Sequence, residues 1–440
     1  MIQQDIIYIH PRQYRMFHRF TIPLSLPALI KRIPYPVNGY YPEELNPDII
    51  RKAKVAIIDV HWNYALAGAR EICQKLKCAN PSITIIAGGY TASMYPDQLI
   101  NNFGVDFVIR GDGEIPLPQL VQALIESPDD ISKVPNLVGK NNFKTDWSYV
   151  LTEADLNTNQ FYDLDFFPSY KKDIIKAHKQ NFGWPIYTFP FILPFRGCPV
   201  DCPTCAGSLC EQKKLFRRRW VKRSAEKIAD DIEILNKWEG LRFTNVIHDF
   251  MSLMSEDYIK TALAKPCKLE VLYEMTTDPG MDRLELLLNS FKGGIIYFSA
   301  DKLHTQTDDF IEPQQLIKLI KYTASTKKFL PILYYNGIFF DNNSQYKQAV
   351  NEVIKATSCQ ADDAALWWEE FPRPEKDGSA NPETFKQFYY YSEKAKPGFI
   401  KSYYHKSVFL SYSILVYLLP DKWLFNLKKW YQRKFSPFYK

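Results

Sequence analysis

The sequence predicts an α/β chain: a Rossmann-like parallel sheet domain, then a repeating (β/α) unit of the TIM-barrel type, then a helical C-terminal tail. Three observations predict this. Short β-branched runs alternate with helix-period segments from residue 5 to about residue 125. The alternation resumes after residue 185 and repeats as far as Tyr335. Between these stretches, and past residue 340, it loosens. The division expected is therefore 1–144, a linker over 145–184, 185–400, and a tail over 401–440, and 440 residues are enough for two domains.

In the first unit, Asp5 to His10 reads as a short buried strand that stops at Pro11, and 22–33 holds a helix after Pro23. Lys54 to Val60 is the second strand expected. Ala65 to Cys78 has helical spacing, with Leu66, Ala69, Ile72, Cys73 and Leu76 on one face. Ile83 to Ala87 is a strand closed by Gly88-Gly89, Pro96 to Phe103 a helix, and Val105 to Ile109 a strand. Gly111-Asp112-Gly113-Glu114 leads into the helix Pro116 to Ile125, and Val134 to Lys140 adds a last strand. Such βαβ units form a parallel sheet whose ligands bind at the carboxyl ends of the strands. Gly88-Gly89 and Gly111-Asp112-Gly113 occupy such ends; glycine there serves a close ligand approach or only a tight turn. Thr145 to Lys179, with Pro168 and scattered aromatics, reads as an extended connector lying on both domains.

The second unit opens with strand residues up to Leu193. Ser224 is an expected N-cap for a helix over Ala225 to Trp238, with Ile228, Ile232 and Leu235 on its apolar face. Strands follow at Phe243–Ile247, Leu269–Glu274, Gly294–Ser299 and Phe329–Tyr335, with helices at Glu256–Ala264, Met281–Ser290, Pro313–Ser325 and Asn343–Thr357. Trp367 to Pro372 reads as a closing strand or lid. Chemistry in such barrels sits at the carboxyl ends of the strands, which gathers Asp249, Glu274, Ser299 and Asp301 at one mouth.

The chain is organised around Phe195-Arg196-Gly197-Cys198-Pro199-Val200-Asp201-Cys202-Pro203-Thr204-Cys205. Its three cysteines stand at C-x-x-x-C-x-x-C in a loop rich in proline and glycine, so three thiolates converge. Thiolates are the soft ligands of iron–sulfur clusters, and three leave one iron of a 4Fe–4S cluster open. The alternatives are a zinc site, which lacks a second half here, and a disulfide, which 8 cysteines in 440 residues make improbable. Cys73, Cys78, Cys210, Cys267 and Cys359 stand outside the spacing.

This stretch resembles the cluster loop of the radical S-adenosylmethionine (SAM) superfamily, and Arg196-Gly197 and Pro199 share in the likeness. The resemblance implies a 4Fe–4S cluster on Cys198, Cys202 and Cys205, with SAM chelated at the open iron and cleaved to a 5′-deoxyadenosyl radical. It implies a partial barrel and SAM contacts among Thr204, Gly207, Ser208, Asp249, Glu274, Ser299 and Asp301. Thr204 stands where that family commonly has an aromatic residue, and the G-G-E segment after the second barrel strand is not evident. A small α/β domain ahead of such a loop is similar to the cobalamin-binding radical SAM enzymes. The likeness is carried by Ala87-Gly88-Gly89-Tyr90-Thr91-Ala92 and by Val108 to Glu114; Thr91 stands where histidine is frequent, and Asp112 where glutamate is usual. This implies cobalamin against Gly88, Gly89, Tyr90, Thr91, Gly111, Gly113 and Glu114. Asp59-Val60-His61 resembles the start of D-x-H-x-x-G, but Tyr64 replaces the glycine, and His61 is read as a pocket or structural residue without a cobalt bond.

The resemblance implies radical methylation of an unactivated carbon, with flavodoxin or ferredoxin as electron donor. A radical rearrangement or cyclisation, with cobalamin structural or absent, is the other enzymatic reading, and an iron–sulfur electron carrier or sensor the non-enzymatic one. No catalytic side chain stands out. A net charge of +6 argues against a dedicated nucleic-acid binder. Met1-Ile2-Gln3-Gln4-Asp5 has no signal-peptide character, so a reducing cytoplasmic setting is expected. The basic run Lys213 to Arg223 is either a solvated loop or a surface for an acidic partner. In the tail, Ser407 to Pro420 is too short to span a bilayer. Beyond it, Trp423, Leu427 and Trp430 share a helical face rimmed by Lys422, Lys429 and Arg433, which fits a peripheral contact with the inner membrane and a lipid-like substrate, or a packed helix pair.

Overall fold

The computed structural model describes residues 5–13, 22–180, 190–199, 208–214, 220–300, 312–335, 343–363 and 382–394. The first sheet contains β1 (Asp5–Ile9), β2 (Val37–Tyr40), β3 (Ala53–Asp59), β4 (Thr84–Gly88), β5 (Phe107–Ile109) and β6 (Leu137–Gly139) in the order β2-β1-β3-β4-β5-β6. All neighbours are parallel except β6, which runs antiparallel to β5. The central strand β3 is buried at every position but Lys54, as a parallel strand covered on both faces must be. The helix Leu66–Ala79 buries the expected face: Leu66, Ala69, Ile72, Cys73 and Leu76.

The second unit contains β7 (Phe191–Ile192), β8 (Phe195–Arg196), β9 (Val221–Lys222), β10 (Phe243–Val246), β11 (Cys267–Met275), β12 (Phe291–Ser299), β13 (Phe329–Tyr335) and β14 (Gln360–Asp363). Six of them form a parallel sheet in the order β14-β13-β12-β11-β10-β7, an open arc of βα units. Ser224 caps its helix as expected, its side chain accepting the Lys227 N–H. Strands β8 and β9 form a separate antiparallel ribbon that carries Arg196 to the threshold of the cysteine loop.

Three of the features that differ from expectation bear on the site. Strand β2 was not among the strands expected, since Val37-Asn38-Gly39-Tyr40 holds a single β-branched residue beside Asn and Gly. Gly39 has a packing reason: a Cβ there would lie 2.7 Å from the Phe167 side chain. The linker is not extended but holds helices Glu153–Thr158, closed by a Thr152–Asp155 capping box, and Pro168–Gln180. It does lie on both sheets: Phe167 stacks on Tyr170 and meets Tyr8 edge-on, and the Tyr162 hydroxyl donates to the Phe191 carbonyl at 3.0 Å. Third, helix Pro382–Lys394, which the sequence division assigned to the second domain, packs on the first. Phe385 enters the core of the first sheet beside Tyr95 and Phe103. The Ser392 hydroxyl accepts the Ala67 N–H at 2.9 Å and donates to the Tyr64 carbonyl at 3.0 Å. The segment 367–372 and the tail 401–440 lie outside the described residues.

Ser392→Ala leaves the buried Ala67 N–H and Tyr64 carbonyl without this partner. We expect a loss of about 1–3 kcal/mol in urea unfolding monitored by circular dichroism. An unchanged unfolding midpoint would show that this strap is idle.

Candidate cofactor site between the two sheets

A cavity of about 300 Å³ opens at the carboxyl ends of β3, β4 and β5. Its inner slot runs between Ile57, Ile86 and Ile109 of the sheet and Leu26, Leu29 and Leu117 of the covering helices. Asp59 and Gly88, side by side in register, form its rim with Gly89, Tyr90, Gly111 and Gly113. Trp147 and Tyr149 of the linker make one wall, and Arg196, Gly197 and Gln212 of the second domain make another. An apolar slot edged by a few polar groups suits a bulky flat ligand.

The glycines have separate reasons. At Gly88 an added Cβ would meet nothing within 4 Å, so this surface is open to a ligand. At Gly89 a φ of 110° and a Cβ 2.8 Å from the His61 backbone exclude a side chain. Of the seven expected cobalamin contacts, Gly88, Gly89, Tyr90, Gly111 and Gly113 line the cavity, whereas Thr91 and Glu114 lie behind its wall. Thr91 is fully buried and holds the His61 loop: its N–H and hydroxyl both donate to the His61 carbonyl, at 3.2 and 2.9 Å.

His61 lines the cavity. Burial pulls its pKa down to about 4, Asp59 working against this and Arg196 with it. The neutral ring accepts the Tyr90 N–H at Nδ1 (3.4 Å), which places the ring proton on Nε2. Asp59 ends a buried chain: its Oδ1 accepts the Tyr8 hydroxyl at 2.5 Å and faces His10 Nδ1 at 3.0 Å, and His10 Nε2 meets Gln13 at 3.2 Å. Asp59 Oδ2 is buried with no hydrogen-bond partner, an acceptor at the rim of the cavity. Burial, reinforced by Asp59, pushes the Tyr8 hydroxyl pKa well up.

The two domains meet at a charged clasp. Arg196 reaches Asp112 at 3.0 Å and hydrogen-bonds Glu114. Asp112 and Glu114 are 3% and 0% exposed, so two buried carboxylates share one guanidinium. Burial alone would lower the Arg196 pKa, but Glu114 and Asp112 more than offset it and the net shift is upward. Removing the cation from such an arrangement costs about 3–5 kcal/mol.

On the second sheet, Glu274 pairs in register with Tyr297, and Ser299 with Tyr334, so these four share one face at the carboxyl ends of β11, β12 and β13. Glu274 and Ser299 are thus brought together as expected. Asp249 is not available: it caps helix Phe250–Leu253, accepting the Ser252 N–H and the Tyr273 hydroxyl at Oδ1 and the Thr276 N–H and hydroxyl at Oδ2. The sequence assigned it to SAM because its place at a strand end gives no sign of those four donors. Cys198 is half-buried and Ser208 buried; Cys202, Thr204, Cys205, Gly207 and Asp301 lie outside the described residues. Burial raises the thiols of Cys73 and Cys267 to about 12 and about 11, as expected of packing residues.

Sequence reasoning missed the Tyr8–His10–Asp59 chain, the linker wall and the reach of Arg196. Only the first had a local signal, two polar residues on one face of an otherwise apolar strand.

Residues 42–121 match the B12 binding domain family. In solved structures the chain is similar to the radical SAM methyltransferase TsrM of Kitasatospora setae, a structure with cobalamin and a [4Fe-4S] cluster bound. The TM-score is 0.55 and the identity 14%, over 76% of this chain and 69% of that one. It is also similar to the cobalamin-dependent SAM radical enzyme OxsB, with a TM-score of 0.56 and 11% identity over 90% of this chain and 56% of that one. The chain has the fold of the cobalamin-binding radical SAM enzymes. Among curated proteins, the chain is 25% identical over 273 residues to an uncharacterised methyltransferase of Pyrococcus horikoshii, covering 60% of this chain and 56% of that protein. It is 27% identical over 168 residues to an anaerobic magnesium-protoporphyrin IX monomethyl ester cyclase of Synechocystis, covering 38% of this chain and 30% of that protein. The chain thus spans about half or less of the curated relatives it matches.

His61 and half-buried His248, whose pKa burial also lowers to about 4, bind protons more weakly folded than unfolded. The stabilisation from keeping them neutral is present above the unfolded value near 6.5 and is lost as pH falls toward 4. We expect stability to decline across that window, with a slope of up to about one proton per histidine. His248→Gln should flatten it, as measured by urea unfolding at several pH values; an unchanged slope would contradict the assignment.

Proposed function

We propose that this chain is a cobalamin-dependent radical SAM methyltransferase acting on an unactivated carbon of a small-molecule or lipid-like substrate. The observation that carries the reading is the glycine-edged crevice of the B12 domain opening onto Arg196-Gly197 at the threshold of the cysteine loop. The donor set fits both groups. The apolar slot and the open face at Gly88 suit a macrocycle, and the orphaned Asp59 Oδ2 suits an amide N–H at its periphery. Cys198, Cys202 and Cys205 would supply three thiolates to a 4Fe–4S cluster. When bound, the cluster supplies an electron for SAM cleavage and cobalamin a transferable methyl group.

The chain's own residues bind and orient. Glu274, Tyr297 and Ser299 would take polar groups of SAM or substrate at the strand ends. Trp147 and Tyr149 would exclude water from the crevice. His61 would not ligate cobalt: the N–H from Tyr90 occupies Nδ1, so the neutral ring offers Nε2–H and no lone pair on that side. A flavodoxin or ferredoxin would deliver the electron. The basic aromatic tail would hold the enzyme at an anionic inner-membrane surface. Among the described residues no helix is long and apolar enough to cross a membrane. The likeness to a cyclase favours a second reading, radical ring formation in the same site.

Anaerobic purification with cobalamin supplied, followed by cofactor analysis and a SAM-cleavage assay, tests the reading. We expect bound cobalamin, about four irons per chain and 5′-deoxyadenosine or methylated product. Replacing Cys198, Cys202 and Cys205 together by alanine should abolish iron binding and SAM cleavage; retention of both would overturn the cluster assignment. The electron paramagnetic resonance spectrum of bound cob(II)alamin should lack nitrogen superhyperfine splitting, and its presence would restore His61 or His10 as a ligand.

A further inference from the structure

Arg196 belongs to two sites at once. Its backbone pairs with Val221 in the ribbon that leads directly into Gly197 and Cys198. Its guanidinium leaves that ribbon, lines the crevice, and closes on Asp112 and Glu114 of the B12 domain. Both carboxylates are fixed from behind by the linker: Asp112 Oδ2 accepts the Leu151 N–H at 2.9 Å, and Glu114 Oε1 accepts the Asn159 amide at 3.5 Å. Glycines in the left-handed region stand at each end of the clasp, Gly111 (φ 74°) beside Asp112 and Gly197 (φ 87°) beside Arg196. Glu114 Oε2 is buried without a hydrogen-bond partner, so Arg196, held at Oε1, supplies the positive charge that faces this buried carboxylate.

We propose that Arg196 is a positioning residue that couples the two cofactor sites, so that cobalamin and the iron–sulfur cluster each bind more tightly when the other is present. This rests on the function proposed above. A macrocycle in the crevice packs against the guanidinium and holds the clasp shut, which fixes the strand that feeds the first cysteine. A cluster on the cysteine loop fixes the same strand from the other end, and so presents Arg196 to the crevice already in place. Whichever group arrives first orders the wall that the second one meets. The coupling is reciprocal, since both affinities belong to one thermodynamic cycle.

The test is an anaerobic titration of cobalamin into the full chain, by absorbance, before and after cluster reconstitution. A companion measurement sets iron retention against a chelator at equilibrium, with and without cobalamin. In the wild type we expect each factor to change by about tenfold, and by the same amount in both directions. Arg196→Lys keeps the charge but cannot fork between two carboxylates. It should still take up both groups, with the coupling factor falling toward one. Asp112→Asn, made on the far side of the clasp and away from the cysteine loop, should do the same, and it carries the test if Arg196→Lys does not give a circular dichroism spectrum like the wild type. A residue that merely stabilises the fold would lower both affinities and leave their ratio unchanged. A wild-type factor of one, or a full factor in both variants, overturns the coupling. A chain that takes up neither group overturns the proposed function with it, whereas one that takes up both independently overturns only the clasp.

Discussion

Everything at the site depends on one shared apolar core. The front face of the first sheet, with Ile6, Tyr8, Val55 and Ile57, does not end at a domain boundary. It continues through Phe161, Phe167, Tyr170 and Ile174 of the linker into Phe191, Phe195, Ile228 and Tyr273 of the second unit. Each large side chain buried in this way contributes about 1.5–3 kcal/mol. The two sheets are therefore not free to rotate about a loose tether. Their relative placement turns the carboxyl ends of β3, β4 and β5 toward Arg196 and Gly197, and it makes the crevice a feature of both domains.

Inside that frame the electrostatics are arranged for a neutral, hydrogen-bonding occupant. His61 and His248 are held uncharged by burial. The acidic groups are committed to fixed partners, Asp112 and Glu114 to Arg196, and Asp59 to Tyr8 and His10. What remains at the rim among the described residues is an unpartnered acceptor, Asp59 Oδ2, beside the open face of Gly88. On the second sheet the polar residues that share the inner face stand at strand ends, which is where βα architectures place their chemistry. The helix Pro382–Lys394 adds a brace from behind, since Ser392 bonds the turn that follows His61 and so steadies the loop on which that ring sits.

Much of this was legible in the sequence because it is local. The alternation of β-branched runs with helical spacing marks the long strands, and Met281–Ser290, Pro313–Ser325 and Phe329–Tyr335 match expectation residue for residue. The glycine pairs at the ends of β4 and β5 are legible for the same reason. What was not legible depends on contacts far apart in the chain. Val37–Tyr40 is a strand only because β1 pairs with it, and Pro382–Lys394 belongs to the first domain only because Phe385 finds Tyr95 and Phe103 there. Asp249 looks like any acidic residue at a strand end until its four donors are seen. Arg196 is written in the cysteine motif, but its partners lie more than 80 residues earlier.

The central claim is that cobalamin occupies a crevice built by both domains. Hydrogen–deuterium exchange of the full chain, with and without cobalamin under anaerobic conditions, tests it most directly. The account predicts protection at residues 86–93 and 109–114 together with protection at 195–198, on the far side of the domain boundary. No protection, or protection at 86–93 and 109–114 with none at 195–198, would contradict it.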